Sequence, residues 1–214
     1  PAIKEVLNKK HKLSGNWSHS FFGNSNPLIL ELGCGKGEYT VYMARKFPGI
    51  NFLGIDIKGA RMWKGAKQSK ELGLKNAGFL RTRIELIESF FEENEVSEIW
   101  ITFPDPQEHK RRKKKRLTNP VFLKKYQTFL KKNGIVHLKT DNEPLYNYTL
   151  QLIRYNNMPL IYKTNNLYSK ALPDKILKVQ TFYEKRFIAE GKSIKYIKFE
   201  LTENKIVEPP DENE

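Results

Sequence analysis

Short apolar runs alternate along the chain with longer stretches in which apolar residues recur every three or four positions. The apolar runs predict β-strands at 27–33, 50–56, 77–83, 96–103 and 135–140. The periodic stretches predict helices at 37–47, 59–73, 84–91, 119–134 and 143–156. Strands that alternate with helices in this way indicate an α/β fold. Its doubly wound sheet would be parallel at least in the first five strands and would carry helices on both faces.

Terminal signals set the bounds of one predicted helix. Asn119 is a favourable N-cap, Pro120 suits the first helical position, and Gly134 suits the residue after the last turn.

Residues 179–201, in contrast, show no regular alternation of strand and helix. The Glu190-Gly191-Lys192 sequence predicts the turn of an antiparallel hairpin, which would close the sheet with two further strands to give seven. We expect one domain over residues 1–206 and an acidic, disordered tail at 207–214.

Charge points to the kind of partner. The 214 residues include 38 basic and 24 acidic side chains, and the formal net charge of +14 favours a polyanionic partner such as nucleic acid.

The chain contains no apolar run long enough to span a membrane, and its N-terminus lacks the apolar core of a signal peptide. The single cysteine, Cys34, excludes an internal disulfide, so we expect a cytoplasmic protein. The histidines lack metal-ligand spacing, and we expect no structural zinc.

A glycine-rich loop, "ELGCGKGEY", follows the first predicted strand. Gly33, Gly35 and Gly37 allow the backbone to turn sharply and a ligand to approach it closely. A dinucleotide-binding loop has the spacing G-x-G-x-x-G/A, whereas the third position after Gly35 is Glu38, whose carboxylate would repel a pyrophosphate. The spacing therefore favours S-adenosylmethionine on a Rossmann-like sheet over a dinucleotide.

Two acids accompany this loop. Glu31 precedes it, and Asp56 ends the second predicted strand, where a carboxylate can accept hydrogen bonds from both hydroxyls of a ribose. Cys34 lies inside the loop but has no histidine near it in sequence, so a filler side chain is favoured over a nucleophile.

Asp105 follows the fourth predicted strand, between Pro104 and Pro106, which restrict its backbone. Ligands of open α/β sheets bind beyond the carboxyl ends of strands, so we expect Asp105 to face a ligand, although a plain Pro-Asp-Pro turn is the alternative. Seven basic residues, Lys110–Arg116, come next and are suited to bind phosphates, unless they form an ordinary solvated surface. The order suggests that the basic run holds a nucleic-acid backbone while Asp105 addresses one base.

Several motifs together resemble those of bacterial tRNA (guanine-N7-)-methyltransferases. They are "LELGCGKG", "FPDP" before a basic stretch ending in "KRL", "LKTDN" at 138–142 and "TFYEKRF" at 181–187. The resemblance covers about Phe22 to Phe187. It implies a class I methyltransferase fold and transfer of a methyl group from S-adenosylmethionine to a guanine in the variable loop of tRNA, at position 46. The products would be 7-methylguanosine and S-adenosylhomocysteine.

The resemblance also assigns roles to residues. Asp105 falls at the catalytic position between cofactor and guanine. Cofactor-binding positions correspond to Glu31, Gly33, Gly35, Gly37, Asp56, Arg83 and Asp105. Substrate-binding positions correspond to His109, Lys110, Arg111, Asp141, Thr181 and Glu184.

This chain departs from the family at three places. Gln107 replaces a tryptophan, and Arg83 replaces an acid or amide. His109 replaces a lysine, so the contact of that lysine either passes to Lys110 or is lost.

The chemistry implied by this family needs no general base, because guanine N7 has a lone pair and no proton. We expect Asp105 and Asp141 to accept hydrogen bonds from the guanine N1–H and exocyclic amine and so to aim N7 at the methyl group. Three alternatives remain open: a methyltransferase for a small molecule or protein, a dinucleotide-dependent oxidoreductase, and a noncatalytic RNA-binding module. No heptad pattern argues for an oligomer, so we expect a monomer.

Overall fold

A computed structural model describes residues 10–210 and contains a seven-stranded sheet within them. The strands are β1 (Leu28–Leu32), β2 (Asn51–Asp56), β3 (Ala77–Arg81), β4 (Val96–Thr102), β5 (Leu130–Thr140), β6 (Leu160–Thr164) and β7 (Lys195–Glu200). Their order in the sheet is β3-β2-β1-β4-β5-β7-β6. β2 pairs in parallel with β1 and β3, whereas β7 is antiparallel to β5 and β6. The predicted α/β fold, with a mostly parallel sheet and antiparallel C-terminal strands, is therefore confirmed.

Five α-helices connect these strands within the described residues. They are α1 (Glu38–Lys46), α2 (Gly59–Glu71), α3 (Pro120–Gln127), α4 (Glu143–Tyr155) and α5 (Phe182–Ala189). Shorter 3₁₀ segments lie at Ile84–Ser89, Lys110–Lys115 and Lys175–Lys178, and a π-helical turn lies at Trp17–Phe21. Asn142 caps α4 by accepting a hydrogen bond from the Leu145 N–H at 2.8 Å, and Thr181 caps α5.

The helix predicted at 119–134 is too long. It begins as expected at Pro120, but it ends at Gln127, and residues from Leu130 onward belong to β5. Phe129 is fully buried, and its carbonyl accepts a hydrogen bond from the Val96 N–H at 3.1 Å. Burial against the sheet thus overrides a helical period that continues in the sequence.

The hairpin turn predicted at 190–192 is also wrong. Glu190 and Gly191 follow the last turn of α5, and the antiparallel partners of β7 are β5 and the distant β6. Helix α5 could not be predicted from the sequence. Glu184 is the only buried residue of this helix, so the helix buries no apolar stripe.

The described residues form two compact units. The first extends to Trp100 and includes Thr128–Lys131, and the second comprises Ile101–Gln127 and the residues from Lys132 onward. In the first unit, β1 and β2 supply a core of fully buried side chains: Leu30, Leu32, Leu53 and Ile55. In the second unit, the core includes Val136 and Leu138 of β5, Leu152 of α4 and Phe199 of β7.

The first two residues of the predicted tail make hydrogen bonds. The Val207 N–H donates to the Asn156 side chain at 2.8 Å, and the Glu208 carboxylate accepts from Asn119 at 2.7 Å and Tyr148 at 3.1 Å. The last four residues, 211–214, lie outside the described part of the chain. Among the described residues, none of the helices has the length and apolar character needed to cross a membrane.

Candidate active site

In the first unit, the glycine loop after β1 takes a conformation that suits glycine. Gly33, Gly35 and Gly37 have φ values of 75°, 55° and 70°. The N–H groups of Gly33 and Cys34 donate to the Ile55 carbonyl at 2.8 and 3.0 Å, which holds the loop against the end of β2. A β-carbon at Gly33 or Gly35 would have no atom within 4 Å, so the backbone there borders open space. These two glycines form a cradle that a ligand can approach.

Gly37, in contrast, allows close packing between elements of the first unit. A β-carbon at this position would overlap the ring of Phe79, coming within 2.8 Å of its Cζ, and would lie 3.4 Å from the Cα of Gly65 in α2. The start of α1 is therefore packed tightly against β3 and α2, and only Gly33 and Gly35 face open space.

Asp56 ends β2 and supports the same loop. One carboxylate oxygen accepts the Gly35 N–H at 2.9 Å, and the other accepts the Lys58 N–H at 2.8 Å. The side chain remains partly exposed. Asp56 thus fixes the glycine loop while keeping a face toward solvent.

Glu31 is almost wholly buried, at 2% exposure. Its Oε2 accepts hydrogen bonds from the Thr40 N–H at 2.9 Å and the Thr40 hydroxyl at 2.6 Å, in the first turn of α1. This acid therefore ties β1 to the helix that follows the glycine loop. Burial raises the pKa of the neighbouring Cys34 thiol, and the negative charges of Glu31 and Asp56 raise it further. A protonated thiol agrees with a filler role for Cys34.

Arg83 follows β3, and its side chain is exposed and pairs with Glu85 at 3.5 Å. The adjacent Thr82 N–H donates to the Asp56 carbonyl at 3.1 Å. The main chain before Arg83 therefore lies beside Asp56, whereas its guanidinium points to an acid of the following 3₁₀ segment.

In the second unit, Asp105 lies on an exposed, tightly defined turn. Phe103 and Gln107 on either side have positive φ values of 49° and 50°, and the Asp105 Oδ1 accepts the Gln107 N–H at 3.0 Å. Arg116 stabilises this turn, because its Nε donates a hydrogen bond to the Pro106 carbonyl at 3.1 Å. Its guanidinium lies 4.6 Å from the centre of the Tyr148 ring, and the residue is 9% exposed.

A hydrogen bond joins the Asp105 turn to the end of β5. The Asn142 side chain donates to Glu108 at 2.8 Å, and Asn142 directly follows Asp141. The Asp141 carboxylate pairs with the Lys192 ammonium at 3.4 Å, and 19% of its side chain is exposed. The structure therefore brings the segments that carry Asp105 and Asp141 together within the second unit.

The basic run does not act as one surface. Lys113 pairs with Glu208 at 3.0 Å and lies over the Tyr148 ring, and Arg116 is buried. The remaining members are exposed, as is the adjacent His109: Lys110, Arg111, Arg112, Lys114 and Lys115. Two of the seven charges therefore belong to the fold, and five remain exposed at the surface.

Thr181 and Glu184 lie at the start of α5 with buried side chains. The Thr181 hydroxyl accepts the Glu184 N–H at 3.2 Å. The Glu184 carboxylate pairs with Lys139 at 2.6 Å and accepts the Tyr168 hydroxyl at 2.6 Å, and both members of the ion pair are fully buried. Burial raises the pKa of Glu184 and lowers the pKa of Lys139, although each charge favours the other. Glu184 thus has no face open to a substrate in this structure.

Sequence reasoning missed Arg116, Lys139 and Asn142 as organisers of this region. A lysine within the apolar segment "IVHLKT" was the available signal for Lys139, because an unpaired lysine is rarely fully buried. Arg116 carried no comparable signal, since it ends a run of equivalent charges.

Structural comparison identifies the fold. The 16S rRNA methyltransferase KamB superposes with a TM-score of 0.67 at 14% identity, over 90% of this chain and 95% of that chain. The geranyl diphosphate C-methyltransferase of Streptomyces coelicolor A3(2), solved in complex with S-adenosyl-L-homocysteine, superposes with a TM-score of 0.52 at 16% identity. This match covers 87% of this chain and 77% of that one. The chain therefore has the fold of class I methyltransferases.

Sequence comparison is more specific. A family model described as "Putative methyltransferase" matches residues 25–197. The tRNA (guanine-N(7)-)-methyltransferase of Christiangramia forsetii is 52% identical over 202 residues, which cover 94% of this chain and 90% of the relative. The chain belongs to the tRNA (guanine-N(7)-)-methyltransferase family.

Proposed function

We propose that this protein transfers a methyl group from S-adenosylmethionine to N7 of a guanine in the variable loop of tRNA, at position 46. The reaction yields 7-methylguanosine and S-adenosylhomocysteine. The observation that carries the assignment is the exposed Asp105 turn, held by Arg116 and joined to the Asp141 segment through Glu108 and Asn142. Two carboxylates presented on rigid supports suit recognition of a base that offers several N–H donors.

Cofactor binding is assigned to the first unit. The open backbone at Gly33 and Gly35 gives S-adenosylmethionine room at the end of β1. Asp56 is the acceptor for the ribose hydroxyls, because its carboxylate is already oriented by two backbone N–H groups and keeps an exposed face. Glu31 and Gly37 position the loop and α1, and the main chain at Arg83 borders the adenine end.

Guanine recognition is assigned to the second unit. S-adenosylmethionine supplies an electrophilic methyl group, and guanine N7 offers a lone pair without a proton, so the chain need not provide a general base. Asp105 and Asp141 accept hydrogen bonds from the guanine N1–H and exocyclic amine, which fixes the direction of N7. Their negative charge also favours the positive charge that the purine acquires.

The exposed residues of the basic segment bind the tRNA backbone. The first of them in sequence are His109, Lys110 and Arg111. Counterion release by these side chains offsets the cost of moving the target base out of its stack. Thr181 and Glu184 contribute to the substrate side by fixing α5 through the helix cap and the buried pair with Lys139.

The proposal is tested by incubating purified protein with radiolabelled S-adenosylmethionine and unmodified tRNA, then identifying the methylated nucleoside. We expect 7-methylguanosine. A tRNA in which 7-deazaguanosine replaces the guanosine at position 46 should accept no methyl group, because its base lacks N7. Methylation at another atom or another position would overturn the assignment.

We further propose that the protein acts as a cytoplasmic monomer without a metal. The single cysteine and the tRNA substrate support the location. Size-exclusion chromatography with light scattering should give the mass of one chain, and transfer should persist in excess EDTA. A dimeric mass or loss of activity on chelation would contradict these two statements.

A further inference from the structure

Lys192 lies beside one of the two carboxylates assigned to the guanine. Its ammonium is 3.4 Å from Asp141 Oδ2 and 3.4 Å from Glu190 Oε2, and it lies 4.6 Å from the centre of the Phe187 ring. Nearly half of the lysine side chain, 46%, remains exposed. A hydrogen-bond donor and a hydrogen-bond acceptor are therefore held side by side at a partly open position.

This arrangement matches one edge of guanine. The Watson–Crick edge of guanine places the O6 acceptor next to the N1–H donor, whereas adenine places an amine donor next to an N1 acceptor. We propose that Lys192 donates a hydrogen bond to guanine O6 while Asp141 accepts the N1–H, so that the ion pair selects guanine. The inference rests on the proposed function, and it adds a specificity-determining residue to it.

The neighbouring Lys195 does not fit this role. Its ammonium lies 3.4 Å from the Asp141 main-chain carbonyl, 3.3 Å from the Ser193 carbonyl and 3.1 Å from the Ser193 hydroxyl, and the residue is 6% exposed. Lys195 therefore binds the main chain at Asp141, whereas the Asp141 carboxylate pairs with Lys192.

Aromatic contacts connect Lys192 to the turn that presents Asp105. The Phe187 ring lies under the Lys192 ammonium, and its centre is 5.7 Å from that of Phe103, which precedes Asp105 by two residues. The lysine is thus oriented by an ion pair and by a ring that belongs to the same packed cluster as the Asp105 turn. This orientation reduces the entropy that a free lysine would lose on binding a base.

The test removes the two proposed partners of one hydrogen bond separately and together. Synthetic tRNA is assembled with guanine, hypoxanthine or 2-aminopurine at the methylated position. Hypoxanthine keeps O6 and N1–H, whereas 2-aminopurine lacks both. The kcat/KM of the wild-type protein and of Lys192→Met is measured on each substrate, and Lys185→Met, which removes an exposed charge of α5, is the matched control.

We expect Lys192→Met to lower kcat/KM about 10- to 100-fold on guanine and on hypoxanthine, the usual effect of losing a hydrogen bond to a charged group. On 2-aminopurine the same substitution should change kcat/KM little, because no O6 is present. Lys192→Arg should restore most of the guanine activity, and Lys185→Met should affect all three substrates equally.

An equal loss on guanine and 2-aminopurine would show that Lys192 acts on folding or on the RNA backbone and would overturn the inference. Unchanged activity of Lys192→Met on guanine would overturn it as well. A failure of the proposed function is seen separately, because the wild-type protein would then form no 7-methylguanine on the guanine substrate.

Discussion

Arg116 donates a hydrogen bond from its Nε to the main-chain carbonyl of Pro106 at 3.1 Å. The residue closes a run of seven basic side chains, yet its guanidinium is buried over the Tyr148 ring. The contact spans ten residues and fixes the turn on which Asp105 is exposed. Arg116 therefore supports the turn that carries Asp105, and Lys113 pairs with Glu208, whereas the other five basic residues of the run are exposed.

Replacing this arginine should affect both stability and turnover. Arg116→Met removes the hydrogen bond to Pro106 and leaves a partly buried carbonyl without this partner, which should lower the free energy of unfolding by about 1–3 kcal/mol. Turnover should fall because the Asp105 turn loses its support, whereas calorimetric affinity for S-adenosylhomocysteine should not change. Arg154→Met, at an exposed position of α4, is the control. Wild-type turnover in a folded Arg116→Met protein would show that the turn needs no such support.

Asp105 itself should be required for transfer and not for cofactor binding. We expect Asp105→Ala to lower the single-turnover rate on tRNA by at least about 100-fold, since it removes a charge that favours the methylated purine. Affinity for S-adenosylhomocysteine should largely survive. Glu203→Ala removes an exposed acid elsewhere in the second unit and should leave the rate unchanged. Parallel loss of transfer and of cofactor affinity in a folded Asp105→Ala protein would refute the assigned role.

The exposed part of the basic run should determine the salt dependence of tRNA binding. Each phosphate contact contributes about 0.7 to 0.9 to the slope of log K against log salt concentration, so Arg111→Gln/Lys114→Gln should reduce that slope by about 1 to 2. Filter binding between low and physiological salt measures it. The variant Lys163→Gln/Lys205→Gln loses the same charge at other exposed positions. Equal slopes for the two variants would mean that the run is ordinary surface.

Two glycines of the loop should respond differently to alanine. At Gly33 the added methyl group points into open space, so we expect loss of cofactor affinity with only about 1–2 kcal/mol of destabilisation from the positive φ. At Gly37 the methyl group overlaps Phe79, which should cost about 1–3 kcal/mol more. Urea unfolding and calorimetry separate the two effects. Phe79→Leu should recover part of the stability of Gly37→Ala and none of the affinity of Gly33→Ala.

The Lys139–Glu184 pair should give the stability a defined pH dependence once the lysine is removed. Lys139→Met leaves a buried carboxylate without its cation, which should cost about 3–5 kcal/mol at neutral pH. Burial already raises the pKa of Glu184 above its usual 4.5, and loss of Lys139 raises it further. The folded state then binds more protons than the unfolded state above pH 4.5, so the deficit should be smallest near that pH and grow as pH rises.

Urea unfolding of Lys139→Met at several pH values between 4.5 and 8 measures this deficit relative to the wild-type protein. Lys163→Met, on β6, removes a lysine that is exposed and should show no such trend. A deficit that does not vary with pH would mean that removing Lys139 leaves the pKa of Glu184 unchanged, and it would contradict the prediction.

Most strands could be predicted because buried parallel strands are short and continuously apolar, as in 27–33 and 50–56. The end of α3 could not, since Phe129 and Leu130 continue a helical period while their burial in the sheet decides their conformation. The role of α5 was hidden for the opposite reason. The one buried residue of this helix is charged: it is Glu184, whose partner Lys139 lies 45 positions earlier in sequence.

The residues of the candidate site were also predictable only in part. Asp56 and Asp105 were predicted as site residues because a topological rule says where ligands of an α/β sheet bind, whereas Asp141 was assigned through the motif resemblance. The side chains that orient them were not found, because Arg116 and Lys192 act through contacts between segments distant in sequence. Local pattern carries no information about such contacts.

The place of β7 in the sheet has a consequence for synthesis of the protein. Among residues 10–210, β6 pairs with β7 alone, and β7 lies between β6 and β5. A nascent chain that has emerged as far as residue 190 therefore carries Leu160–Thr164 with no strand beside it. The edge of the sheet can be completed only after Lys195–Glu200 has left the ribosome, so translation stalls or truncations upstream of Lys195 would leave an unpaired, aggregation-prone segment.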